Sequence, residues 1–369
     1  MLYYLFDYIN ALYAPPGFDI FQFITFRSAL AAISGLLIAI YIGPKIIKLL
    51  QKNQIGEVKK EDGPSFHWSK SGTPTMGGVI IILSVFIPVL LWADVKSIYI
   101  ILITVGTLWL GGVGFLDDYL KVVKKYPNGL IARYKLIGQV TMGLIVGAVI
   151  YFSPQFEGIN TLTTVPFLKN VNLDLSLLYI PAVIFIVTAT SNAVNLTDGL
   201  DGLAIGTIAI VMIALAVLSY FSGNAIYARY LNIIYLPGSG ELTVFVSALI
   251  GASLGFLWYN SYPAQVFMGD TGSLALGGAF GILAVLIKKE LLIPLLGGVF
   301  FMETISVIIQ RGYFKYTKKK YGEGKRVFKM APIHHHYEMS GLSEPKIVIR
   351  FYIIAIILAI VSLVSFKIR

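Results

Sequence analysis

The sequence predicts an all-α, polytopic integral membrane protein: a single membrane-embedded domain over residues 1–369, with about ten transmembrane helices. Two observations predict it. The chain is 57% apolar and 13% charged, with a mean hydropathy of +0.78, where a soluble domain is near half apolar and a quarter charged. The apolar residues also fall into long blocks, each near the ~20 residues that a helix needs to cross the hydrocarbon core.

In chain order the blocks cover residues 21–42, 75–92, 98–116, 135–152, 177–194, 203–221, 242–259, 272–287, 291–309 and 347–366. Several contain Gly or Pro (Gly77, Gly78, Pro88, Gly277, Gly278, Pro294), which weaken a soluble helix but are common in membrane spans. No Lys or Arg precedes Arg27, so the start lacks the basic n-region of a cleaved signal peptide. The first span is therefore expected to be retained, with the N-terminus outside. The polar stretch 153–176, carrying Pro154 and Pro166, is expected to form a turn or a short surface element without chemistry. Cysteine is absent, which excludes disulfides, thiolate metal sites and redox chemistry at sulfur.

Charge sets the orientation. With ten spans and an outside N-terminus, the inside loops are 44–74, 117–135, 195–202, 260–271 and 310–346, and they hold 20 of the 29 basic residues. The outside segments hold seven: Lys96, Lys169, Arg229, Lys288, Lys289, Lys367 and Arg369. This is the positive-inside pattern, and it supports an orientation with both termini outside. The net charge of +10 then reflects topology and anionic lipid headgroups. Nucleic acid is not an expected partner, because the charge lies in membrane loops.

Carboxylates at the membrane edge are costly to keep, and here they cluster on the inner side. Asp117 and Asp118 follow Gly111-Gly112-Val113-Gly114-Phe115-Leu116 where the third span reaches the inner interface. Adjacent side chains on a helix diverge by about 100°, so a division of labour is expected, one acid near a metal and one near a reacting phosphate. The competing reading is a pair of interfacial charges facing Lys121 and Lys124. Asn195-Leu196-Thr197-Asp198-Gly199-Leu200-Asp201-Gly202 lies at the next inner junction, with two acids three residues apart and two glycines that permit close approach of a ligand. Turn and cap chemistry would use the same residues. Asp270 immediately precedes the eighth block and, taken alone, reads as a helix N-cap. Together the five acids at three inner junctions offer hard oxygen ligands suited to Mg²⁺.

The last inner loop places His334, His335 and His336 in a row. Consecutive residues cannot converge on one tetrahedral ion, so zinc is disfavoured and imidazoles that hold phosphate oxygens are the better reading. Lys70-Ser71-Gly72-Thr73-Pro74-Thr75-Met76-Gly77-Gly78 enters the second span with a cation, hydroxyls and a glycine pair, fit for pyrophosphate contacts or for a plain helix start. Acidic metal ligands and cationic donors at the inner face point to Mg²⁺-dependent phosphoryl transfer on a phosphorylated cytoplasmic substrate.

Four segments resemble the polyprenyl-phosphate N-acetylhexosamine-1-phosphate transferases: Thr-Pro-Thr-Met-Gly-Gly at 73–78, Gly-Phe-Leu-Asp-Asp-Tyr at 114–119, Asn-Ala-Val-Asn-Leu-Thr-Asp-Gly-Leu-Asp-Gly at 192–202 and Phe-Met-Gly-Asp at 267–270. Within that family, Ala-Pro-Ile-His-His-His-Tyr-Glu at 331–338, followed by Glu344-Pro345-Lys346, is similar to the branch whose donor is UDP-N-acetylmuramoyl-pentapeptide. The resemblance implies a cytoplasmic active site, Mg²⁺, and conversion of that donor plus undecaprenyl phosphate to UMP and lipid I in peptidoglycan biosynthesis, with a homodimer as the assembly it suggests.

Carried over by position, the resemblance makes Asp270 the main Mg²⁺ ligand with Asp117 and Asp118 beside the phosphates, and gives His334, His335 and His336 to substrate binding. Phe267 would stack on uracil, with Asn260, Gly199, Leu200 and Asp201 around the nucleoside and Gln310 lining the same pocket. Lys70, Thr75, Asn195 and Asp198 would lie on its phosphate or sugar side. Two rivals remain at this stage. A sister enzyme using UDP-N-acetylglucosamine would keep the aspartates without this histidine loop. A secondary transporter would instead place its charges near the bilayer midplane in repeated, broken helices.

Overall fold

The computed structural model describes residues 1–52, 72–126, 128–168 and 171–367. Its helices are α1 (Leu2–Tyr13), α2 (Ile24–Lys52), α3 (Gly78–Trp92), α4 (Ile98–Val122), α5 (Ala132–Phe152), α6 (Tyr179–Thr197) and α7 (Leu203–Ser222). They continue as α8 (Ala225–Tyr230), α9 (Glu241–Asn260), α10 (Gly269–Leu286), α11 (Ile293–Leu296), α12 (Gly298–Tyr321), α13 (Ile333–Glu338) and α14 (Glu344–Val364). A short antiparallel hairpin, β1 (Leu162–Thr164) and β2 (Asn172–Asp174), pairs Thr163 with Leu173.

Every predicted apolar block is helical. Among the described residues, α2, α4, α5, α6, α7, α9, α10 and α14 are each long and apolar enough to cross a membrane, and α3 is a shorter apolar helix. The ninth block departs from expectation. Its apolar run reads as one span over 291–309, but α11 and α12 meet at a 79° bend, and α12 continues to Tyr321. Gly312 is accommodated inside the helix, no proline follows Ile309 before Tyr321, and Gly322, with φ +81°, ends the helix in a left-handed cap. Residues 310–321, expected in the inner loop, are thus helical.

The first span also outruns its prediction, reaching Lys52 through Pro44. Proline has no N–H to donate to the carbonyl four residues back. The Tyr259 hydroxyl on α9 donates to that carbonyl, Ile40 O, at 2.8 Å, so no backbone oxygen is stranded. At the opposite end of α2, Arg27 is 2% exposed and pairs through both terminal nitrogens with Glu241 on α9, at 2.5 and 2.8 Å. That pairing accounts for a basic residue at the start of a span.

The hairpin in the 153–176 stretch is docked, not merely a turn. Lys288 and Lys289, counted above as outside charges, are both buried beneath it. Lys288 Nζ donates to Asn160 O and to the Tyr179 hydroxyl at 2.7 Å each, and burial pushes its ammonium down to about 8. Thr163 Oγ1 donates to Glu290 at 2.5 Å, which fastens β1 to the chain just ahead of α11.

The bundle is organised around α10, in which every residue from Thr271 to Leu286 is buried. α4, α6 and α3 pack directly on it. Close approach depends on glycines: a Cβ built on Gly114 would lie 2.1 Å from Asp270 O, and one on Gly78 would lie 2.1 Å from Gly272 N. These two contacts bring the end of α4 and the start of α3 against the first turn of α10. Gly114→Ala is therefore expected to lower the thermal unfolding midpoint in detergent, by a cost of ~1–3 kcal/mol for overpacking. Gly112→Ala, on the same helix with nothing within 4 Å, is expected to leave it unchanged. Equal midpoints for the two variants would contradict this packing.

Candidate active site

Asp117 and Asp118 lie in the last turns of α4, and both are buried, at 0% and 4% exposure. Their side chains do different things. Asp117 Oδ1 accepts the Leu130 N–H at 2.7 Å, so the loop after α4 folds back over it. Asp117 Oδ2 pairs with Lys121, one turn on along the same helix, and with Lys135 of α5 at 2.8 Å. The same two ammonium groups reach Asp270 Oδ2, Lys121 at 3.3 Å and Lys135 at 2.5 Å. Two carboxylates are thus bridged by two cations.

Asp118 faces the start of α10. It accepts from Asp270 N at 3.1 Å, from Thr271 N at 2.8 Å and from Thr271 Oγ1 at 2.6 Å. These are the orphan N–H groups that every helix start exposes, and a carboxylate there also complements the helix dipole. The N-cap role read into Asp270 therefore falls to Asp118, reaching across from another helix, and Asp270 keeps its carboxylate for side-chain partners. Gly269, just before Asp270, has φ +72°, and a Cβ there would lie 2.7 Å from Asp118 Oδ2. Only glycine fits.

The third component is the end of α6. Asn195 Nδ2 donates to Asp270 Oδ1 at 2.9 Å and to Ser273 Oγ at 2.8 Å, while Asp198 sits partly buried at the helix C-cap. One turn beyond Asn195, Gly199 meets the histidine segment: a Cβ there would lie 2.3 Å from His334 Nε2. His334 is fully buried, and its Nδ1 is 3.1 Å from Oε2 of Glu303, itself fully buried on α12. Glu303 Oε2 also accepts the His334 backbone N–H at 3.4 Å, so the carboxylate holds this segment from beneath while the ring's Nε2 lies toward Gly199. The three histidines do not converge. His335 Nδ1 lies 2.7 Å from Glu338 Oε2, and His336 Nδ1 accepts the Lys329 N–H at 3.1 Å.

The remaining predicted residues fall into two groups. Phe267 exchanges backbone bonds with the segment entering α3: Phe267 N donates to Pro74 O at 2.8 Å, and Gly77 N donates to Phe267 O at 2.9 Å. This pairing carries Thr75 to the rim of the aspartate cluster, where its hydroxyl would lie 3.0 Å from a Cβ on Gly269. The second group is engaged in holding backbone. Asn260 accepts from Gly202 N and donates to Val266 O, and Asp201 Oδ2 accepts from Ala264 N at 3.0 Å. Leu200 is buried in a small apolar cluster with Leu203 and Phe351. Gln310 binds the backbone of Val327 and Phe328 through both ends of its amide, which anchors the loop ahead of the histidines. Lys70 lies outside the described residues.

Among the described residues, Asp117, Asp118 and Asp270 form a group able to hold a metal ion, each offering an oxygen within 4.8 Å of the others. The donor set is all carboxylate, which suits a hard divalent cation. Asp117 and Asp270 are the readier ligands, because ammonium groups on long side chains can move aside, whereas Asp118 is committed to the backbone of α10. Beside these acids, Lys121, Lys135 and Asn195 provide donors for anionic oxygens.

Reading the sequence missed two participants, Lys135 and Glu303. Lys121, four residues from Asp117 and on its helical face, entered only through the competing reading of paired interfacial charges, and that pairing is present. Lys135 was counted only as topological charge. Glu303 is a lone acid within the ninth apolar block, and an intramembrane carboxylate is itself a functional signal. Removing either member of the Glu303–His334 contact leaves a buried polar side chain without its close partner, at a cost of about 1–3 kcal/mol. Thermal unfolding of Glu303→Ala, His334→Ala and the double variant should therefore be strongly non-additive, and additive losses would show that the two side chains are not coupled.

Comparison with known proteins agrees with this geometry. Residues 99–288, which contain both the α4 and α10 acids, match Glycosyl transferase family 4, and residues 70–82 match the Phospho-N-acetylmuramoyl-pentapeptide-transferase signature 1. The chain is 53% identical over 369 residues to the Phospho-N-acetylmuramoyl-pentapeptide-transferase of Chloroherpeton thalassium, 54% over 385 to that of Salinibacter ruber and 50% over 409 to that of Flavobacterium psychrophilum. Each alignment covers all of both proteins. With likeness of this extent running through every element of the site, the chain belongs to the phospho-N-acetylmuramoyl-pentapeptide-transferase family.

Proposed function

We propose that the protein transfers phospho-N-acetylmuramoyl-pentapeptide from UDP-N-acetylmuramoyl-pentapeptide to undecaprenyl phosphate, releasing UMP and forming lipid I for peptidoglycan biosynthesis. The observation that carries this reading is the convergence at one end of the bundle of Asp117, Asp118 and Asp270, bridged by Lys121 and Lys135, with His334 one helical turn away across Gly199. Positive charge is concentrated in the loops at that end of the spans, which supports a cytoplasmic active site in a bacterial inner membrane with both termini outside.

Asp270 and Asp117, with Asp118 behind them, would hold Mg²⁺, which when bound offsets charge on the donor diphosphate. Lys121, Lys135 and Asn195 bind and orient the phosphate oxygens. Phe267, partly buried on the segment paired with 74–77, stacks on the uracil, and Thr75 lies beside the phosphates. Asp198, Gly199, Leu200, Asp201 and Asn260 form the neighbouring wall. An oxygen of the lipid phosphate attacks the phosphorus attached to the sugar, and the bond to UMP breaks with its electron pair leaving on UMP. A phosphate monoester has its second pKa near ~6, so the acceptor is already mostly ionised at neutral pH and needs no strong base. Asp117, fully buried and held by Leu130 N–H and both lysines, suits charge organisation better than nucleophilic attack, which favours one step over a covalent intermediate.

The acceptor's chain also has a place. A cavity of about 440 Å³ beside the α11–α12 bend is lined by Phe301, Met302, Ile305 and Ile309 and ends at Ile333, the neighbour of His334. An apolar groove of this kind, adjoining the histidine segment, suits a polyprenyl tail.

Purified protein in detergent with Mg²⁺ and polyprenyl phosphate is expected to release UMP from UDP-N-acetylmuramoyl-pentapeptide. Asp270→Ala is expected to slow release by on the order of 10²-fold or more. A wild type inactive on that donor and active on UDP-N-acetylglucosamine would move the assignment to the sister reaction.

A further inference from the structure

The turn from α6 to α7 separates the aspartate cluster, reached through Asn195, from His334, which rests on Gly199. Any ligand that spans the acids and the histidine segment lies against this turn. Its backbone is held by two side chains of α14, a helix that contributes nothing to the site described above. Glu344 Oε1 accepts the Asp201 N–H at 2.6 Å, and the Tyr352 hydroxyl donates to Gly202 O at 2.6 Å. Gly202 has φ +80°, the conformation that redirects the chain into α7. Gly206, one turn into α7, is required for the approach of α14, since a Cβ there would lie 2.0 Å from the Tyr352 hydroxyl oxygen.

The geometry points to Tyr352 and Glu344 as positioning residues for the donor-binding turn, which fix the backbone of residues 199–202 against α14 without touching the substrate. This inference rests on the reading of the site as a uridine-nucleotide site. Tyr352 packs on the small cluster of Leu200, Leu203 and Phe351, and its hydroxyl reaches the turn. With the hydroxyl removed, Gly202 O keeps only the helical bond from Gly206 N at 3.0 Å and the turn loses its tie to α14, while the aspartates and the lysines keep their own supports. The loss should therefore fall on donor affinity alone.

Tyr352→Phe removes one oxygen and keeps the packing. It is expected to raise the KM for UDP-N-acetylmuramoyl-pentapeptide, and the Kd for UMP alone, by about tenfold, the scale of one hydrogen bond. The kcat and the KM for polyprenyl phosphate should stay near wild type. Glu344→Ala should reproduce this split, and Glu344→Gln, which retains an oxygen acceptor for the Asp201 N–H, should restore donor affinity. Unchanged donor KM and UMP affinity in Tyr352→Phe, or equal losses in kcat and in both KM values with a lowered thermal midpoint, would overturn the proposal. A wild type that binds UMP but does not turn over the muramoyl donor would sink the functional reading instead, and UMP titration of the variants would still test the positioning role.

Discussion

Three carboxylates share a space in which their oxygens lie within 4.8 Å of one another, and two of them are buried. At that separation and an effective dielectric of about 20, each pair of like charges repels by roughly 3–4 kcal/mol. The cluster exists only because the structure answers each charge separately. Lys121 and Lys135 bridge Asp117 and Asp270, the first turn of α10 receives Asp118, and Asn195 takes the other oxygen of Asp270. The rest of the fold serves this arrangement. It draws on four helices, α4, α5, α6 and α10, and the contacts of Gly114 and Gly78 set how closely two neighbours approach the start of α10.

The chemistry proposed for the site follows from the same constraint. Asp117 and Asp270 would hold a divalent cation, which would supply charge neutralisation there, and Lys121 and Lys135, on long side chains beside them, would be the donors for phosphate oxygens. The backbone-bound Asp118 keeps α10 in register. Such fixed supports recur beyond the acids, where Glu303 fixes His334, Gln310 fixes the loop before it, and Asn260 and Asp201 fix the turn that faces it. Several residues expected as ligand contacts, Asp201, Asn260 and Gln310 among them, also hold backbone in the folded protein.

Membrane architecture was legible because it rests on hydrophobicity alone: nine of the ten apolar blocks each coincide with one helix, and the ninth with a bent pair. The bend at Gly297 was not, because an apolar run reads the same straight or broken. Nor were α1, α8 and the docked hairpin, which are too short for a span and are held by aromatic and buried polar contacts made over long sequence distances. α1 lays Phe6 on Phe21 and Trp92, for example. In the site, the identity of the acids was readable from composition against location and a division of labour between Asp117 and Asp118 from their adjacency on a helix, whereas the partner each takes was not. Asp117 and Asp118 are adjacent in sequence, yet one faces α5 and the other the start of α10, and the loop that buries Asp117 is irregular. The exclusion of zinc by consecutive histidines agrees with three rings that turn to three different partners.

The central claim is that the bridged acids form one metal and phosphate site, and electron paramagnetic resonance of Mn²⁺ bound to the purified protein tests it most directly. The account predicts a single bound Mn²⁺ in the wild type, its loss in Asp270→Asn, and a phosphorus hyperfine coupling that appears when a uridine diphosphate-linked sugar donor is added. Mn²⁺ bound equally in wild type and Asp270→Asn, or a bound ion that shows no phosphorus coupling with saturating nucleotide, would contradict it.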